Sequence, residues 1–212
     1  MPEVELIRHY GRLAAQYDRR WQAYLRQTLG RVLEVLQAPG TARILDVGCG
    51  TGEFARMAIQ RFPELTIVGI DATPAMVELA RAKLTGCSRA TFQMSRADTL
   101  PFGVEEFDAV VCANTLHHMH MPHRALQEWV RVLRPGGQLI IVDWCRDFWH
   151  CRLMHYWMKL VDRTYASMPR LSELRKMAEE LGLTVERADR FMAKPFYGML
   201  CVTARKVVCV LT

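Results

Sequence analysis

A short run of β-forming residues, Ala42-Arg43-Ile44-Leu45-Asp46-Val47, stops abruptly in Gly48-Cys49-Gly50-Thr51-Gly52. Glycines this dense permit backbone angles closed to other residues and let a ligand approach the main chain. A helical pattern follows to about Phe62, with Pro63 as its stop. Strand, glycine loop and helix in that order open a parallel α/β sheet, and such sheets bind ligands beyond the carboxyl ends of their strands.

The rest of the chain repeats the alternation. Leu65 to Ile70 reads as a strand, and Pro74 to Leu84 as a helix with proline in its first turn, where the missing N–H does no harm. Thr91 to Met94 is a short strand. Phe107 to Cys112 is a continuous apolar strand of the kind buried on both faces. Pro122 to Leu133 is a helix, Pro135-Gly136-Gly137 a turn, and Gln138 to Asp143 another buried strand. Strands alternating with helices imply a mostly parallel sheet with right-handed crossovers.

Before this core, Trp21, Tyr24, Leu25, Leu29, Val32, Leu33 and Leu36 recur at helical spacing, and Pro39-Gly40 ends the helix. After it, Phe148 to Tyr165 is amphipathic and rich in aromatics, with most of its apolar residues expected in the core. Leu171 to Leu181 is a helix ending at Gly182, and Thr184 to Phe191 and Tyr197 to Val210 form two closing strands around a Lys194-Pro195 turn. The chain reads as one domain over 1–212: a helical cap (1–38), a cofactor-binding core (39–143), and substrate-side helices with closing strands (144–212).

Composition excludes several classes. No apolar run approaches the roughly eighteen residues of a membrane span, and the N-terminus lacks a secretory pattern, so a soluble cytoplasmic protein is expected. The seven cysteines form no C-x-x-C pair, and several sit in apolar runs as reduced core residues do. The net charge of +6 is scattered, with no basic run interleaved with aromatics; a solvated surface is expected and nucleic acid is not an expected partner.

The glycines are spaced G-x-G-x-G, not as in a dinucleotide fingerprint, and no P-loop lysine follows. Asp46 and Glu53 bracket the loop, where carboxylates would repel a pyrophosphate but suit an ammonium or sulfonium. Asp71, at the end of the next strand, is placed to accept hydrogen bonds from ribose hydroxyls. A nicotinamide oxidoreductase would share that carboxylate but not the glycine spacing.

Ile44-Leu45-Asp46-Val47-Gly48-Cys49-Gly50-Thr51-Gly52 resembles the first signature of class I S-adenosylmethionine-dependent methyltransferases, and Gly69 to Val77 resembles the second. Ala97 to Phe102, Phe107 to Val111 and Leu133 to Gly137 resemble the later ones, in order. Leu116-His117-His118 and the opening Tyr10 to Asp18 are similar to the UbiE-like small-molecule group. The resemblance implies a Rossmann-like fold: a seven-stranded, mostly parallel sheet with helices on both faces and an N-terminal helical cap. It implies S-adenosylmethionine as cofactor, S-adenosylhomocysteine as product, and a small-molecule acceptor with an oxygen, nitrogen or carbon target. Asp46, Gly48, Cys49 and Gly50 would face the methionine part, with Asn114 and Tyr17. Asp71 and Ala72 would hold the ribose, and Met76, Ala97 and Asp98 the adenine. An RNA methyltransferase and a non-catalytic, cofactor-binding partner subunit are the alternatives; neither Asn-Pro-Pro-Tyr nor an appended RNA module is present.

Histidine can take a proton near neutral pH, and His117 and His118 follow the fourth strand, on the acceptor side. His118 is the candidate base or acceptor-orienting group, with a packing role for the pair as the alternative. With His120 and His123 they read as exposed histidines of a turn rather than a zinc site, and Cys145, Cys151 and His155 are discounted likewise; no metal is expected. The aromatic segment after the fifth strand makes an apolar or aromatic acceptor plausible.

Overall fold

The computed structural model describes residues 2–38, 40–162, 164–193 and 196–208. Pro39, the Lys194-Pro195 turn, Cys209 and the Val210 end of the last expected strand lie outside them. The chain opens with α1 (Pro2–Val35). Then come β1 (Arg43–Val47), α2 (Glu53–Arg61), β2 (Thr66–Asp71), α3 (Pro74–Lys83), β3 (Ala90–Met94) and β4 (Phe107–Ala113). After a 3₁₀ turn at Leu116–His118 follow α4 (Pro122–Val132), β5 (Leu133–Trp144), α5 (Trp149–Val161), α6 (Leu171–Glu180), β6 (Leu183–Ala193) and β7 (Tyr197–Lys206).

All seven strands share one sheet in the order β3-β2-β1-β4-β5-β7-β6. The first five pair in parallel, while β7 runs antiparallel to β5 and β6. Alternate side chains of each strand enter opposite cores. Ile44, Val111 and Ile140 meet α1, α2 and α3 through Leu29, Phe54 and Val77. Leu45, Val110 and Ile141 meet α4 and α6 through Leu126, Trp129 and Leu174. That two-sided burial is why β4 reads as an unbroken apolar run. The connection reverses between β1 and β4, which opens a crevice at the carboxyl ends of those neighbours.

Two expectations are corrected. Pro135-Gly136-Gly137 does not separate two elements: β5 already pairs with β4 at Leu133↔Phe107, and the register then jumps to Gln138↔Ala109. The extra residues bulge out within the strand, with Gly136 at φ 75°. The second correction concerns α5, whose apolar residues were expected in the core. Only Cys151 and His155 are buried there. Trp149, Leu153, Tyr156, Trp157, Leu160 and Val161 all face solvent.

Candidate active site

Three loops converge at the crevice. The N–H groups of Gly48 and Cys49 both donate to the Ile70 carbonyl, at 2.8 and 2.9 Å, which ties the glycine loop to the end of β2. Gly48 has φ 71°, and a side chain there would also run into Thr115, just past β4. Asp71 holds the floor: Oδ2 accepts from Gly50 N–H at 3.0 Å, and Oδ1 from Thr73 N–H at 2.8 Å. Burial raises its carboxyl above the ordinary range, partly offset by those two amides.

Asp46 lies beneath the loop, 2% exposed, and its Oδ2 is buried without any hydrogen-bond partner. Burial, and then the charge of Asp71, push its carboxyl up to about 8. An ionised carboxylate there would be costly without a partner, so burial keeps the group protonated up to about that value.

The other side of the crevice is walled by α1 and the turn after β4. Leu6, Tyr10 and Tyr17 all line it from α1, at spacings of four and seven that keep them on one helix face. The Tyr10 hydroxyl lies 2.7 Å from His118 Nε2, and His118 Nδ1 lies 2.9 Å from the Thr164 carbonyl oxygen. A carbonyl only accepts, so Nδ1 carries the hydrogen and Nε2 offers its lone pair to the Tyr10 hydroxyl. Burial, and then His117, hold His118 down at about 3. Burial, followed by the nearby Tyr17, raises the Tyr10 phenol. The resting pair is therefore a neutral imidazole and a neutral phenol.

His117 is a structural pin. Its Nδ1 lies 2.7 Å from Asp143 Oδ1, its ring stacks on Trp144 at 4.2 Å, and its carbonyl accepts from Ala166 and Ser167 N–H. Burial alone would raise Asp143, but His117 and the Trp144 N–H outweigh it and hold the carboxylate low. The expectation of a turn with exposed histidines is thus half corrected. His117 is buried and His118 largely so, while His120 and His123 are exposed.

One cavity of about 340 Å³ brings together Tyr17, Gly48, Gly50, Asp71, Ala72, Met76, Ala97, Asp98, Asn114 and His118. Asp46 lies behind it. The Cys49 side chain is buried, with Sγ 3.7 Å from the Gly50 carbonyl, so only its backbone belongs to the loop. The Asn114 side chain turns toward α1: Oδ1 accepts from Tyr24 at 2.7 Å and Nδ2 donates to Thr28 at 2.9 Å. It fixes the cap rather than offering its amide to the cavity. Asp98 is bound through two contacts by Arg96, whose guanidinium holds it below the carboxylate range. Ala97 accepts from Trp129 Nε1 at 3.0 Å. Tyr10, Leu6, Met119, Met121 and Thr164 also line it, together with Ile70, Ser95, Arg96, Thr115, His120 and Ala125, and none of these had been named as a site residue from the sequence. For Tyr10 and Leu6 the signal was available, as helical spacing from Tyr17. Among the described residues no group of His, Cys, Asp and Glu is arranged to hold a metal ion.

Comparison with known proteins agrees with this geometry. Residues 45–141 match the methyltransferase domain family. The chain is 29% identical over 182 residues to the ubiquinone/menaquinone biosynthesis C-methyltransferase UbiE of Citrifermentans bemidjiense, covering 81% of this chain and 72% of that protein. It is 34% identical over 143 residues to the UbiE of Syntrophotalea carbinolica, covering 67% of this chain and 56% of that one. Among solved structures, the Haloferax volcanii methyltransferase in complex with the Trm112 methyltransferase activator shares the fold. Its TM-score is 0.82, at 20% identity over 94% of this chain and 98% of that chain.

Proposed function

The chain is a class I S-adenosylmethionine-dependent methyltransferase, and from that premise we propose that it methylates a small organic acceptor with an apolar or aromatic body. The observation that carries this reading is the part of the cavity where Leu6, Tyr10, Met119 and Met121 set apolar side chains beside His118, with His120 in the same lining. The cofactor half suits its ligand: Asp46 Oδ2 has no partner within the protein, and the Asp71 oxygens, each holding one backbone amide, can take ribose hydroxyls besides. Met76 and Ala97 would flank the adenine, with Asp98 accepting from its amino group. Bound there, S-adenosylmethionine supplies a methyl group already activated as a sulfonium.

The protein then has to align the acceptor and exclude water. Such positioning is worth up to roughly 7–11 kcal/mol in intramolecular models. The Tyr10–His118 pair supports an acceptor that arrives protonated, as a phenol, an enol or an activated ring carbon. The acceptor's proton passes to Tyr10 Oη as the phenolic proton moves to His118 Nε2, leaving tyrosine unchanged and an imidazolium beside the Thr164 carbonyl. Asp143 and Asp162 favour that charged form, but burial and His117 outweigh them, so the imidazolium is a transient of the transfer and the neutral ring is the resting state.

The test is transfer of labelled methyl from S-adenosylmethionine to a panel of phenols and hydroquinones, alkylamines and RNA. Labelling of the ring acceptors, reduced on the order of 10²–10⁴-fold in His118→Ala and Tyr10→Phe with S-adenosylhomocysteine binding kept, is the expected result. Exclusive labelling of RNA, or full turnover by His118→Ala, would overturn the reading.

A further inference from the structure

The outward face of α5 has no partner in the fold. Trp149, Leu153, Tyr156, Trp157, Leu160 and Val161 are 72, 63, 61, 60, 86 and 54% exposed. At 100° per residue Trp149, Leu153, Tyr156 and Leu160 fall in one stripe, with Trp157 and Val161 widening it. The opposite face is fully engaged: Cys151, Met154 and Met158 pack with Tyr165 and Met168. Scattered apolar residues on a surface are ordinary, but six on one side of a thirteen-residue helix form a contiguous patch.

We propose that this face docks the protein on an anionic lipid surface. Charge is what selects the occupant. No carboxylate lies on α5, while Arg152 and Lys159 flank the apolar stripe, in a chain of net charge +6. The two carboxylates bracketing the helix are already engaged. Asp147 accepts from the Leu171 N–H and lies near Arg190, and Asp162 accepts from the backbone and hydroxyl of Thr164. A second copy seated on the same face would bring four cations together with no acid on the helix to pair them. A bilayer with anionic headgroups pairs the cations, buries the leucines and gives tryptophan and tyrosine the half-wet setting they favour.

Past the end of α5, Thr164 lines the cavity and its carbonyl holds His118. The docking does not depend on the acceptor proposed above.

The experiment is co-sedimentation of the whole protein with phosphatidylcholine vesicles with and without phosphatidylglycerol, alongside light scattering of the free protein. We expect binding to the anionic vesicles that weakens with salt. A Trp157→Ser/Leu160→Ser variant should lose at least about tenfold in partitioning, and Arg152→Gln/Lys159→Gln only the preference for anionic lipid. Both should bind S-adenosylhomocysteine like the parent, which separates failure of docking from failure of the enzyme. A parent that ignores anionic vesicles, or a dimer that the serine variant dissociates, would overturn the proposal.

Discussion

Replacing Asp46 by asparagine should stabilise the ligand-free protein at neutral pH while destroying its cofactor site. The Asp46 carboxyl is raised from an ordinary value near 3.8 to about 8. Between those values the folded protein holds a proton that the unfolded chain has released, so its stability falls as pH rises, by about 1.36 kcal/mol per unit. An amide in its place does not titrate over the same range. From about pH 5 to about pH 7.5 the wild type should therefore lose roughly 3 kcal/mol relative to Asp46→Asn. At about 2–4 °C per kcal/mol for a chain of this size, the gap in melting temperature widens by roughly 6–12 °C. Thermal unfolding of both proteins at the two pH values reads it, since titrations not coupled to Asp46 cancel in the difference. Binding of S-adenosylhomocysteine should fall by at least about a hundredfold, as expected on removing one partner of a buried ion pair. A gap independent of pH would refute the reasoning, because Asp46 would then carry no strained proton equilibrium.

Two further outcomes follow from the same geometry. Tyr24→Phe removes a hydroxyl that donates to Asn114 and accepts from Trp144 Nε1 at 2.9 Å, in the buried seam that bolts α1 to the sheet. It should cost about 1–3 kcal/mol in urea unfolding, and a neutral effect would show that the seam is not holding the cap. His118 is held down at about 3, against about 6.5 unfolded. Its contribution to stability is therefore whole above about pH 6.5 and is lost as pH falls toward about 3. A His118→Gln variant should unfold with a weaker acid dependence than the wild type, and an unchanged dependence would count against that assignment.

Much of this was legible in the sequence because the signals are local. The run Phe107 to Cys112 announces a strand buried on both faces, and Gly48 to Gly52 between a strand and a helix announces a ligand loop. Asp46 and Asp71 could be paired because parallel strands end on one side. What was not legible depends on distant partners. Tyr10 and His118 are 108 residues apart and meet only because α1 crosses the carboxyl end of the sheet. His117 reads like an exposed turn residue until Asp143 and Trp144 close on it. Asn114 sits where a ligand contact is expected, but Tyr24 and Thr28 claim its amide. In α5 both faces are apolar, so periodicity reports a helix without saying which side meets the protein. Only the packing of Cys151, Met154 and Met158 decides that.

The most direct measurement is calorimetric titration of the purified protein with S-adenosylhomocysteine, with NADH and an Asp71→Ala variant as controls. Saturable one-to-one binding that the variant loses and NADH does not reproduce is the predicted result. Folded protein that binds neither compound, or that prefers NADH, would contradict the assignment of this crevice to a sulfonium nucleoside.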